Sequence, residues 1–201
     1  MIRVQGLARL ALGGALLVEG GMALRRFEQR RRAFAAAALR ASELGRPLVV
    51  VGDPDAGAHT RLVRAYDCGD LCIDLYGCPK CQVMQPADVT AGPVPGVPDD
   101  SAVVFVSCVL EYVSDPAAAL RELNRMAGSP DNLFLVFVEP WTLTAALYPG
   151  ARWAGGVDEH QVSMKPVTTP RKLATLGGLA GLLAVALWPH RNGAHTRGGP
   201  P

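Results

Sequence analysis

A tight turn rich in glycine and aspartate follows the first strongly apolar run of the chain. The run is Leu-Val-Val-Val at residues 48–51, and the turn extends from Gly52 to Gly57 with Asp53 and Asp55 between them. Glycine lets a backbone approach a ligand closely, and a helix that starts at such a turn points its amide groups at an anion. Because Gly and Asp are also the usual residues for leaving a strand, the turn is only a candidate binding site.

Two further carboxylates follow the next two candidate strands. Asp74 lies 17 residues beyond Gly57, and Asp88 comes 14 residues after Asp74. An acid at the end of the second strand of a nucleoside-binding βαβ unit accepts hydrogen bonds from the ribose hydroxyls. Asp88 is then placed to receive an adenine amino group. Each acid alone is also typical of a solvated turn, so the interpretation depends on the three turns meeting at one edge of a sheet.

Four of the five cysteines are closely spaced, in the pattern C-x3-C-x5-C-x2-C. This pattern admits a zinc site, with Cys78-Pro-Lys-Cys81 as a knuckle, and a redox pair is an alternative for the same two residues. A strand over residues 70–75 would hold Cys68 and Cys78 roughly 20 Å or more apart. We therefore expect no metal and ordinary buried thiols.

The elements that must position these residues follow from the apolar pattern. Residues 25–44 are rich in Ala, Leu, Arg and Glu, which favour a helix. The runs at 48–51 and 70–75 are predicted as the first two strands, with a short helix at 58–66 between them. A third strand at 82–87 fits less well, since about six residues separate it from the second and a parallel crossover normally needs a dozen.

The next part of the chain continues the alternation of strands and helices. Residues 102–107 form the clearest internal strand, and a helix capped by Ser114 or Asp115 extends to about Met126. Another apolar strand follows at 132–139. The sequence therefore predicts an α/β fold, Rossmann-like, with a mainly parallel sheet of about five strands.

Both ends of the chain are apolar. Residues 173–188 carry no charge, and residues 10–24 carry only Glu19. We predict both as transmembrane helices. A cleaved targeting peptide is the alternative for the first, and a re-entrant or buried core helix is the alternative for the second, which is slightly short for a span. Five arginines within residues 25–32 follow the first segment, as on the side of an anchor that is not translocated. This predicts a membrane protein whose α/β domain lies on the cytoplasmic side.

Size and charge limit the organisation and the partners. A chain of 201 residues has room for one domain and appended segments. A formal net charge of +2, with the arginines gathered near the N-terminus, argues against a nucleic-acid partner. We expect an N-terminal apolar segment and basic helix at 1–45, an α/β domain at 46–165, and a C-terminal apolar helix and tail at 166–201.

A longer pattern begins at Asp88 and extends to Met126, reading DVTAGPVPGVPDDSAVVFVSCVLEYVSDPAAALRELNRM. An acid after the third strand, a Pro-rich loop, the fourth strand and an LE-hydrophobic-x-DP helix start occur in this order. The region resembles class I S-adenosylmethionine-dependent methyltransferases of the methyltransferase-11 type. The similarity extends more loosely back through VVVGDPDAG and forward to LFLVFVEPW.

The resemblance implies S-adenosylmethionine as the cofactor. Asp74 would then hold the ribose and Asp88 the adenine. The usual acid of the first strand falls on Val51 in this chain, and residues 141–172 leave little room for the family's last helix and two closing strands. The methionine part would lie on the first turn, at Gly52, Asp53, Asp55 and Gly57. Ser107 to Leu110 would line the open face of the cofactor.

These observations favour a membrane-associated S-adenosylmethionine-dependent methyltransferase-like protein that acts on a small-molecule or lipid acceptor. Such enzymes need little covalent chemistry from the protein, so no catalytic residue is predicted, although Glu159 and His160 are candidate bases. Trp141, Tyr148 and Trp153 form either an acceptor pocket or an aromatic belt at the membrane. The alternative is a catalytically inactive scaffold or binding module of the same fold. A nicotinamide-binding domain is disfavoured because G-x-G-x-x-G is absent.

Overall fold

The main structural feature is a five-stranded parallel sheet. A computed structural model of the chain describes residues 2–55, 64–137, 152–158, 161–166 and 169–187. The sheet contains β1 (Leu48–Val51), β2 (Leu71–Asp74), β3 (Met84–Pro86), β4 (Val103–Ser107) and β5 (Leu133–Val136).

The strands lie in the order β3-β2-β1-β4-β5, and every neighbouring pair is parallel. This is the strand order of a Rossmann-type sheet, in which the order reverses between β1 and β4. Ligands of such sheets bind at the carboxyl edge beside this reversal of strand order. The α/β class, the parallel sheet and the count of five strands are confirmed.

The described residues form three helices: α1 (Ile2–Leu44), α2 (Pro116–Ala127) and α3 (Thr169–Leu187), of which α3 packs against α1. A 3-10 turn, Pro130–Asn132, precedes β5. A separate antiparallel hairpin is formed by β6 (Arg152–Asp158) and β7 (Gln161–Pro166).

The central strands β1 and β4 are buried on both faces, which explains their unbroken apolar runs in the sequence. In β1, Val49 and Val51 belong to the core on the α2 side, whereas Leu48 and Val50 belong to the core on the α1 side. Strand β4 is buried along its whole length.

Helix α2 begins and ends where the sequence predicts. The Asp115 carboxylate accepts hydrogen bonds from the backbone N–H groups of Ala117 and Ala118, both at 3.0 Å. At the other end Gly128 adopts φ +67° and donates its N–H to the Asn124 carbonyl at 2.8 Å. These caps satisfy backbone groups that a helix end otherwise leaves unpaired.

Helix α1 is also a layer of the α/β domain. Phe34, Ala37 and Ala41 from its C-terminal half pack in the core with Val50 and Phe105. The rings of Phe34 and Phe105 meet edge to face with centroids 5.5 Å apart. The helix predicted at residues 25–44 is therefore confirmed. It packs on the face of the sheet opposite to α2.

The N-terminal half of α1 presents apolar side chains to its surroundings. Leu10 is 75% exposed and Leu17 is 78% exposed, so this half is not a core helix. Within the described part of the chain, α1 is the helix whose length and apolar composition suffice to cross a membrane. The apolar stretch of α3, Lys172–Leu187, is too short by the same measure. The prediction of a second transmembrane helix at the C-terminus is therefore wrong.

The connection from β2 to β3 is short and contains no helix. Strand β3 pairs with β2 in parallel, with Cys72 beside Met84. This confirms the third strand despite its unusually short crossover. Disulfides join Cys68 to Cys81 and Cys72 to Cys78. The expectation of separated free thiols is wrong, because β2 is only four residues long and the following loop turns back beside its start.

Several sequence predictions concern residues outside the described ranges. They are most of the helix at 58–66, the candidate bases Glu159 and His160, the aromatic residues Trp141 and Tyr148, and the tail after residue 187.

Candidate functional site

A cavity of about 660 Å³ lies at the carboxyl ends of the strands. This volume is within the range of small-molecule and cofactor sites, which is roughly 300–1,000 Å³. The cavity is lined by residues from four separate turns, which follow β1, β2, β3 and β4. Five residues that the sequence singled out line it together: Gly52, Asp53, Asp74, Asp88 and Ser107.

Gly52 is the first residue of the turn after β1. It adopts φ +102°, a conformation that side chains disfavour. A Cβ atom at this position would lie 3.0 Å from the Ser107 carbonyl oxygen and 3.0 Å from Cγ2 of Val109. The Gly52 N–H donates to the Ile73 carbonyl at 2.8 Å, which fixes the turn against β2. Glycine is therefore needed for the turns after β1 and β4 to approach each other.

Asp74 connects the turns that follow β1 and β2. Its Oδ2 accepts a hydrogen bond from the Asp53 N–H at 3.2 Å, and its Oδ1 accepts one from the Tyr76 N–H at 3.0 Å. A carboxylate has about four acceptor positions, so these bonds leave capacity for a diol. The side chain is half-buried and lines the cavity.

Asp88 is held by hydrogen bonds within the turn after β3. Its Oδ1 accepts hydrogen bonds from the Thr90 N–H at 2.8 Å and the Thr90 hydroxyl at 2.6 Å. These bonds to Thr90 hold the pKa of the Asp88 carboxyl below its ordinary value. The exposed carboxylate therefore stays charged at neutral pH, with both bonds converging on a single oxygen.

Two residues of the predicted loop site are not part of this set. Asp55 does not line the cavity; its carboxylate pairs with Arg64 and with the Lys80 ammonium group, the latter at 3.5 Å. The hydrogen bond from Arg64 holds the pKa of Asp55 below its ordinary value. Gly57 lies outside the described residues.

Two arginines from α1 line the cavity, which the sequence did not predict. They are Arg26, which is 8% exposed, and Arg30. The Arg30 guanidinium donates from Nη2 to the Cys108 sulfur at 2.9 Å. The sequence places both arginines in a basic cluster after an apolar run, a pattern that indicates only the non-translocated side of a membrane anchor. Nothing in their spacing indicated that α1 covers the sheet beside the turn after β4.

Tyr66 and Cys108 are further lining residues that the sequence did not single out. The Tyr66 hydroxyl lies 3.4 Å from the carbonyl oxygens of Gly52 and Asp53. Burial raises the pKa of Tyr66 to about 12, so the phenol is neutral and donates to these carbonyls. Burial also raises the pKa of the Cys108 thiol, although Arg30 acts in the opposite direction.

The polar lining carries both signs of charge. Asp53, Asp74 and Asp88 supply carboxylates, while Arg26 and Arg30 supply guanidinium groups. Arginine is suited to carboxylate and phosphate partners, and carboxylates accept hydrogen bonds from hydroxyl and amino groups. The arrangement can therefore bind a polar ligand that has hydroxyl or amino groups at one end and an anionic group at the other.

No family model, curated protein or solved structure matches the chain. Its class follows from the fold and cleft: an α/β domain of Rossmann strand order with a polar cavity at the switch point, preceded by a long apolar helix.

Proposed function

We propose that this protein is a membrane-associated S-adenosylmethionine-dependent methyltransferase or a close derivative of one. The observation that carries the proposal is the shared cavity of Gly52, Asp74, Asp88 and Ser107, which lie at the carboxyl ends of four different strands. The methyltransferase-like pattern from Asp88 to Met126 is the reason for proposing S-adenosylmethionine as the ligand. Strand order supports it, since nucleotide ligands of such sheets bind at this edge.

The residues present fit the groups of S-adenosylmethionine. Asp74 would accept hydrogen bonds from the ribose hydroxyls, and Asp88 would accept one from the adenine amino group. The carboxylate of the methionine part suits the arginine side of the cavity, where Arg26 and Arg30 lie. When bound, this cofactor supplies an activated methyl group.

The protein's own contribution is to position the cofactor. Gly52 lets the turn after β1 approach the end of β4, and Asp74 fixes this turn to the end of β2. Alignment of two reactants accounts for much of the rate in reactions that need no acid or base.

The acceptor we propose is a lipid or another amphiphile. Residues 4–24 of α1 would span the bilayer, and Arg26 and Arg30 follow directly on the same helix. At 1.5 Å per residue, Arg30 is about 9 Å from residue 24 along the axis. The cavity would therefore lie close to the headgroups, with the domain on the cytoplasmic side, as the arginine flank favours.

A transfer assay with native membranes tests this function. Full-length protein is incubated with membranes and with S-adenosylmethionine that carries a radiolabelled methyl group. The label should enter the lipid fraction with the wild type and with Asp131→Asn, an exposed acid remote from the cavity. It should be lost with Asp74→Asn. Cofactor binding without label in any fraction would instead support an inactive scaffold.

A further inference from the structure

The four cysteines around β2 form one compact cluster. The sulfur atoms of Cys72, Cys78 and Cys81 all lie within 4.8 Å of one another, and Cys68 is bonded to Cys81. Cys72 and Cys78 are fully buried, Cys81 is 8% exposed, and Cys68 is half-buried. The fold thus brings four sulfur ligands to one place, away from Cys108 in the cavity.

We propose that this cluster binds one zinc ion when its two disulfides are reduced. Structural zinc sites with four cysteines are tetrahedral, with Zn–S bonds of about 2.3 Å, which places neighbouring sulfurs roughly 3.8 Å apart. The sulfurs of Cys72, Cys78 and Cys81 lie within 4.8 Å of one another, so no pair among them exceeds that spacing by more than about an ångström. Reduction breaks both S–S bonds, so the two sulfurs of each former pair can move apart to the spacing that zinc requires.

The loop that carries two of the ligands has the shape of a metal knuckle. The Cys81 N–H donates to the Cys78 carbonyl at 2.9 Å, which closes a tight turn over Pro79 and Lys80. Gly77, just before it, adopts φ +79°. Four thiolates around a divalent ion leave a net charge of −2, and the ammonium group of Lys80 lies in the same turn.

The conversion requires a reductant, for which a dithiol is suitable. Each disulfide takes two electrons and two protons from one dithiol, which becomes a disulfide, and two cysteine thiols result. Zinc then displaces four protons from the four thiols as its four Zn–S bonds form.

Zinc would explain how the short segment between β2 and β3 keeps its conformation in a reducing compartment. Disulfides do not persist in the cytosol, whereas zinc–thiolate bonds do. The crossover includes Tyr76, whose N–H is bonded to Asp74 at the cavity. The metal site thereby supports the position of Asp74, but its existence does not depend on methyl transfer.

Metal analysis of the reduced full-length protein in detergent tests the proposal. Protein expressed in zinc-supplemented medium and purified with a phosphine reductant should contain one zinc per chain. Cobalt substituted for zinc should give the visible absorption of a tetrahedral thiolate site. Cys108→Ser should retain both properties, and Cys78→Ser should lose them.

A thiol count on the wild type keeps the test independent of folding in the variants. With zinc bound, alkylation should modify only Cys108 among the five cysteines, and a strong chelator should raise this count fivefold. Reduced protein with no zinc and with all five thiols reactive before chelation would overturn the proposal. Two disulfides that persist under the reductant would also overturn it.

Discussion

The Asp74 carboxylate accepts a hydrogen bond from the backbone N–H of Asp53 at 3.2 Å, across 21 residues of sequence. This bond joins the turn after β1 to the end of β2. Because β3 and β4 lie next to these strands in the same parallel sheet, the turns carrying Asp88 and Ser107 meet at the same edge. The cavity is a consequence of strand order together with these local bonds.

Gly52→Ala should destabilise the protein strongly and distort the cavity. Alanine would have to adopt φ +102° and would approach the Ser107 carbonyl and Val109 to 3.0 Å. A disfavoured backbone conformation and overpacking together predict a loss of about 2 to 4 kcal/mol in the free energy of unfolding. Denaturant titration in detergent measures it.

Gly96→Ala is the matched control, because Gly96 also has a positive φ of +77° but no atom within 4 Å of the added Cβ. It should cost only the backbone part, roughly 1 kcal/mol. Equal losses for the two variants would show that the turns after β1 and β4 are not in close contact.

Glu122→Gln should reduce the acid sensitivity of the fold. The Glu122 carboxylate, 6% exposed, accepts hydrogen bonds from the Val94 N–H at 2.8 Å and from Arg125 at 2.6 and 2.8 Å. Burial raises the pKa of Glu122, but the bonds from Arg125 and Val94 outweigh it and hold the pKa below the ordinary 4.5. The lowered pKa means that the folded state stabilises the charged form.

The resulting contribution to stability is fully present above about pH 4.5 and is lost as the pH falls through the lower pKa of the folded state. Denaturation midpoints measured from pH 7 downward should therefore decline less steeply for Glu122→Gln than for the wild type. An identical slope for both proteins would contradict the assignment. Val94 lies in the loop between Asp88 and β4, so the variant should also loosen that side of the cavity.

Cys108 offers a direct probe of occupancy. In the disulfide-bonded protein it is the free cysteine, and it lines the cavity. Burial raises the pKa of Cys108, so alkylation should be slow at neutral pH and faster as the pH rises, since the thiolate is the nucleophile. Saturating S-adenosylhomocysteine should slow it further, as followed by mass spectrometry. A rate unaffected by the ligand would argue that it binds elsewhere, and Cys108→Ser should show no labelling.

The parts of the fold that sequence could predict are those whose pattern is local. The buried strands at 48–51 and 102–107 are continuous apolar runs, and α2 has its cap and its C-terminal glycine in the sequence. The convergence of Asp74 and Asp88 followed from parallel strand order, since carboxyl ends share an edge.

The remaining features depend on contacts between distant segments. Arg30 meets Cys108 across 78 residues because α1 packs on the sheet, and a basic cluster does not reveal that packing. The pairing of Cys68 with Cys81 required the chain to reverse after Asp74, whereas strand geometry alone suggested separation. The C-terminal apolar stretch resembles a membrane span in composition, but Lys172–Leu187 is too short to be one.

Equilibrium titration of the protein with S-adenosylmethionine distinguishes a cofactor site from an unrelated cleft. We expect saturable binding at one site. Asp74→Asn should weaken it roughly tenfold or more, because a charged hydrogen-bond acceptor is removed, and Asp131→Asn should leave it unchanged. Absence of binding by the folded wild type at millimolar ligand, or equal affinity in Asp74→Asn, would contradict the assignment of this cavity as a cofactor site.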